Sequence, residues 1–78
     1  MAKIYDYSRL LGKMREKNIS QEQMASAIGI SSSTMNIKLK NKSEFGQGQM
    51  IDILNVLGVP LSEISSYFFC SKTFENAS

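Results

Sequence analysis

Apolar residues recur at helical spacing in five stretches of this chain, separated by residues that start and stop helices. Tyr7, Leu10, Leu11 and Met14 fall at i, i+3, i+4 and i+7, which places them on one face of a helix running from about Asp6 or Tyr7 to Lys17. Asp6 or Ser8 caps its start, and basic residues occupy its last turn, where the helix dipole favours them. Asn18 suits a left-handed stop. Gly12 inside this helix costs about 1 kcal/mol relative to Ala, and close packing against another helix is the expected reason for it. Ser20 and Gln23 have capping-box spacing, and Ile19 is placed to staple the start of the second helix. Met24, Ala25 and Ile28 form that helix's apolar stripe, and Gly29 can close it in the left-handed conformation.

Beyond the glycine, Ile30 is apolar, Ser31 is a good N-cap, and Met35 and Leu39 recur at i+4 on the inner face of a third helix. The polar run Lys40-Asn41-Lys42-Ser43 ends it, and Phe45 is expected to anchor the following loop in the core. Met50, Ile51, Leu54 and Leu57 mark a fourth helix with Gly58 at its C-terminus. After Val59-Pro60, the residues Leu61, Ile64 and Phe68 mark a short fifth. The expected fold is a compact all-α domain of five helices over residues 1–70, with a short C-terminal tail over 71–78.

Two helices joined as tightly as the second and third must cross steeply. That is the helix-turn-helix arrangement, whose second helix offers the outer face of its N-terminal half to the DNA major groove. Ala25 sits where only a small residue lets the helices approach. Lys38 departs from the usual pattern, which has a branched apolar residue there; Leu39 fills the core in its place and Lys38 turns towards the rim.

Charge sharpens this picture. Residues 1–42 carry eight cations, Lys3, Arg9, Lys13, Arg15, Lys17, Lys38, Lys40 and Lys42, against Asp6, Glu16 and Glu22, a net +5. Residues 43–78 carry Lys72 against Glu44, Asp52, Glu63 and Glu75, a net −3. A basic half that contains the third helix fits a protein meeting a polyanion with one face. With 78 residues, no His and one Cys, the chain offers no nucleophile with its base, no metal-ligand set and no phosphate loop, so neither an enzyme nor a cofactor is expected. No apolar run approaches the roughly 20 residues of a membrane span, and the N-terminus lacks the apolar region of a secretory signal. A reducing cytoplasm is the expected location, with Cys70 unpaired in it.

The segment Ser20 to Leu39, the spacing from it to Met50 through Gly58, and the run VLGVPLSEI resemble the lambda-repressor-like helix-turn-helix class, in particular the small Cro-like regulators of temperate phages. IYDYSRLLGKMREKN, MNIKLKNKSEF and SSYFF resemble short phage regulators from Gram-positive hosts. The likeness covers residues 4 to about 69. It implies a five-helix domain that binds double-stranded operator DNA, usually as a homodimer on two half-sites, and represses transcription there. Carried over by position, it implies that Gln21 anchors a phosphate and that Ser32, Ser33 and Ile37 face base edges, with Ser31, Asn36 and Lys40 beside them. Asn36 is the strongest candidate for a base-specific contact, since its amide can pair with adenine through two hydrogen bonds, with contact to phosphate as the alternative. Lys38, Lys40, Lys42 and Ser43 are expected to contact the backbone and fix register.

Ser hydroxyls are permissive readers, which leaves a second function open. The chain could form a heteromer with another phage repressor and modulate it as a protein-binding partner. The aromatic stretch Tyr67-Phe68-Phe69 favours such contacts. Helical phase buries Phe68 or Phe69 at the base of the core and leaves another ring exposed for a subunit or partner protein.

Overall fold

A computed structural model describes residues 4–70. The expected tail over 71–78 lies outside the described residues. Five α-helices follow in order: α1 Ser8–Glu16, α2 Gln21–Ile28, α3 Ser32–Leu39, α4 Gln47–Leu57 and α5 Ile64–Phe68, the last preceded by a 3-10 turn over Leu61–Glu63. The architecture is all-α, as the apolar spacing predicts.

Local chemistry accounts for most of the helix ends. The Asp6 carboxylate accepts the Ser8 backbone N–H at 2.9 Å and the Ser8 hydroxyl as well, and α1 opens at Ser8, two residues after the earliest expectation, with Tyr7 rather than Asp6 or Ser8 at the N-cap position. Asn18 is left-handed at φ 60 and turns the chain towards α2. Gly29 at φ 81 and Gly58 at φ 72 close α2 and α4 in the region that side-chain-bearing residues rarely enter. The Gly46 N–H donates to Gln49 Oε1 at 2.9 Å, which settles one orphan donor at the start of α4.

One apolar core joins the elements. Leu10 and Met14 of α1, Met24 and Ala25 of α2, Met35 of α3, Ile53, Leu54 and Leu57 of α4, and Tyr67 and Phe68 of α5 are buried together with Tyr7, Phe45 and Val59 from the connections. α2 packs on both α3 and α4, while α5 packs on α1 and α4. Tyr7, Phe45 and Phe68 meet edge to face, with ring centroids 5.5 Å apart for Tyr7 and Phe45, 5.4 Å for Phe45 and Phe68, and 6.4 Å for Tyr7 and Phe68. Such pairs contribute about 0.5–1.5 kcal/mol each beyond their buried area. They tie the loop after α3 to the segment before α1 and to α5.

Three expectations need correction. Gly12 is not packed against another helix, because a Cβ built there meets nothing within 4 Å; the residue simply weakens α1. Leu61 is 56% exposed, since the 3-10 turn after Pro60 rotates it away from the core. The buried stripe of α4 runs through Ile53, Leu54 and Leu57, with Met50 and Ile51 only half-buried. Ile53 belongs to it because α4 is covered from two sides, by α2 and by α5. Of the aromatic pair near the C-terminus, Phe68 closes the core and Phe69 is 48% exposed.

Candidate functional site

The α2–turn–α3 unit is fixed by reciprocal hydrogen bonds at both helix starts. Ser20 Oγ accepts the Gln23 N–H at 3.0 Å while Gln23 Oε1 accepts the Ser20 N–H at 2.9 Å. Ser31 Oγ accepts the Thr34 N–H at 3.1 Å and donates to Thr34 Oγ1 at 2.9 Å. Between them, the Ile30 N–H returns to the Ala25 carbonyl at 2.9 Å across left-handed Gly29. Caps of this type contribute about 1 kcal/mol each. Met24, Ala25 and Met35 are fully buried on the inner side, so the rotation of each helix about its axis is set and the opposite side chains are directed outward.

On the outside, α2 and α3 form an open, shallow concavity of about 530 Å³ lined by Gln21, Glu22, Ser32, Ser33, Asn36 and Ile37. Ile37 is 43% exposed, a large aliphatic side chain among amides, hydroxyls and one carboxylate. Five of the ten residues expected to contact DNA, namely Gln21, Ser32, Ser33, Asn36 and Ile37, are brought together in this hollow.

The other five lie elsewhere. Ser31 spends its hydroxyl on the α3 cap. Lys38 turns back rather than outward: its Nζ donates to the Glu44 carbonyl at 2.7 Å and lies 5.9 Å from the Phe45 ring centroid. That arrangement pins the loop after α3. Lys40, Lys42 and Ser43 are exposed at and beyond the C-terminal end of α3, outside the lining of the hollow.

Glu22 is the lining residue that sequence reasoning missed. The signal was its place beside Gln21 in the first turn of α2, where a carboxylate is favoured by the helix dipole and so reads as helix support. A second hollow, of about 280 Å³, lies where α1 meets the start of α2 and is lined by Leu11, Met14, Arg15, Ile19 and Gln21. Gln21 is shared by the two. Among the described residues there is no group of three or more His, Cys, Asp or Glu side chains able to hold a metal ion, and no helix is long and apolar enough to cross a membrane.

Comparison with known proteins places this surface in context. Residues 1–71 match the family described as "Protein of unknown function (DUF739)". Among solved structures, the chain is similar to the modulator of repression (MOR) of the temperate bacteriophage TP901-1 from Lactococcus lactis, with 38% sequence identity and a TM-score of 0.71. The similarity covers 83% of this chain and 88% of that one. No curated protein sequence matches the chain.

Proposed function

This chain belongs to the DUF739 family, and from its 38% identity to a temperate-phage modulator of repression we propose that it regulates phage genes by binding the phage's repressor protein. The contact surface is the outer face of α2 and α3, and the effect is a change in the repressor's hold on operator DNA.

The observation that carries this reading is the chemistry of the hollow. A surface built for a phosphate backbone needs cations, because neutralising phosphates and releasing their counterions supplies most of the affinity. Here the lining contains no cation, one carboxylate from Glu22, and a 43% exposed Ile37, while the nearby Lys38 ammonium is engaged with the Glu44 carbonyl. An exposed aliphatic group among hydroxyls and amides is the mixed composition found in protein interfaces.

A second reading, direct operator binding as a Cro-like homodimer, is favoured by the net +5 of residues 1–42 and by the outward placement of Ser32, Ser33 and Asn36. Calorimetric titration of the purified chain into the phage's repressor, paired with gel-shift of operator DNA by each protein alone and by both, separates the two. Repressor binding is expected at micromolar concentrations or below, together with a changed operator shift by the repressor. Protection of the operator by this chain alone, with no complex between the proteins, contradicts the first reading and leaves the second.

A further inference from the structure

The hollow between α1 and the start of α2 carries an inference that rests on the repressor-binding reading and extends it. We propose that the repressor also occupies this second hollow, placing an apolar side chain against Leu11, Met14 and Ile19 and a carboxylate against Arg15. The docking surface is then one continuous strip running across Gln21.

Three observations support it. First, the two hollows share a wall: Gln21 lines both, so a partner seated on α2 and α3 is already at the edge of the second. Second, Leu11 and Ile19 pack against the core yet are only half-buried, which leaves an aliphatic flank of each turned into the hollow. Third, the charges are unpaired among the described residues. Arg15 is exposed, and the neighbouring Glu16 carboxylate lies 3.2 Å from Lys13 rather than on Arg15. Among the described residues no ion pair holds Arg15 or Glu22.

The strip therefore carries a cation, Arg15, in one hollow and a carboxylate, Glu22, in the other, with aliphatic side chains in both linings. Its complement is a protein surface with a carboxylate and a cation at matching positions. A DNA duplex fits half of this pattern, since phosphate suits Arg15 but opposes Glu22.

Amide shift mapping of the full chain on addition of the repressor tests the placement without any variant. Shifts are expected both over Ser32–Ile37 and at Leu11, Arg15 and Ile19. Two charge reversals then test the pairing: Arg15→Glu, inside the hollow, and Lys17→Glu, which makes the same charge change one residue past the end of α1 and outside the lining. Arg15→Glu is expected to weaken repressor binding at least tenfold, and Lys17→Glu less than threefold. Shifts confined to Ser32–Ile37, or equal losses for the two variants, overturn the second hollow while leaving the repressor reading intact. No shift anywhere on adding repressor overturns both, and shifts produced by operator DNA instead transfer the surface to the DNA-binding alternative.

Discussion

The side chain of Asn41 satisfies both backbone polar groups of Tyr5, accepting its N–H at 2.8 Å and donating to its carbonyl at 3.0 Å across 36 residues of sequence. One amide thus stands in for a neighbouring strand. On the far side of the same segment, the Asp6 N–H donates to the Cys70 carbonyl at 2.7 Å, and the Tyr5 ring lies edge-on to Phe69 at 6.2 Å. The segment at Tyr5 and Asp6 is held between the end of α3 and the end of α5. Because Asn41 is also left-handed at φ 65, one residue ends α3 and fastens the N-terminal segment to it.

Substitution separates those two roles. Asn41→Gly keeps the backbone conformation and loses both hydrogen bonds, a cost of about 2 kcal/mol at roughly 1 kcal/mol per bond. Asn41→Ala loses the same bonds and forces a Cβ into the left-handed region, which adds about 1 kcal/mol. Urea unfolding of the two variants should rank them in that order below the wild type. Equal stability of all three would mean that the clasp contributes nothing.

Gly12 offers the opposite change. Its position in α1 is open, with no atom within 4 Å of an added Cβ, so Gly12→Ala gains helix propensity without a clash. The expected gain is about 1 kcal/mol, a rise of roughly 4–8 °C in the melting temperature of a domain this size. Thermal denaturation followed by circular dichroism measures it; an unchanged or lower midpoint would mean that the glycine serves a packing need after all.

Tyr7 gives the fold a pH dependence. Burial raises its hydroxyl pKa above the ordinary value of 10.0, and the neighbouring Tyr5 and Glu44 raise it further. The folded chain therefore holds this proton more tightly than the unfolded chain does. The associated stability is fully present below pH 10 and is lost as pH rises through the folded-state value, where the unfolded state releases its proton first. Unfolding midpoints measured from pH 8 to 11.5 should fall above about pH 10, and Tyr7→Phe should flatten part of that fall. Identical slopes for the two proteins would remove Tyr7 as the cause.

How much of this was legible beforehand depended on sequence distance. The Ser20–Gln23 box, the Ser31 cap, and the Gly29 and Gly58 stops are decided within a few residues, and the sequence is enough to read them. Ile53 was missed because a single apolar stripe was assumed for a helix that is covered on two sides. Leu61 was misplaced because apolar spacing does not announce a 3-10 turn. Asn41 reads locally as loop, since nothing near it says that its amide meets residue 5. For the candidate surface, the polar ridge Ser32, Ser33 and Asn36 was visible in the pattern. The inclusion of Glu22, the withdrawal of Lys38 to Glu44, and the hollow beside Arg15 depend on how three helices and a loop meet in space.

The proposed role rests on the α2–α3 face gripping a protein rather than a phosphate backbone, and Ile37, the aliphatic residue of its lining, is the residue to probe. Because its side chain is 43% exposed, Ile37→Ser should leave the fold intact. The most direct measurement is the dissociation constant of the complex between this variant and the phage's repressor, against that of the wild type. An aliphatic contact made by Ile37 predicts at least a tenfold loss, about 1.4 kcal/mol, with the melting temperature unchanged within a few degrees. A complex as tight as that of the wild type would contradict the account.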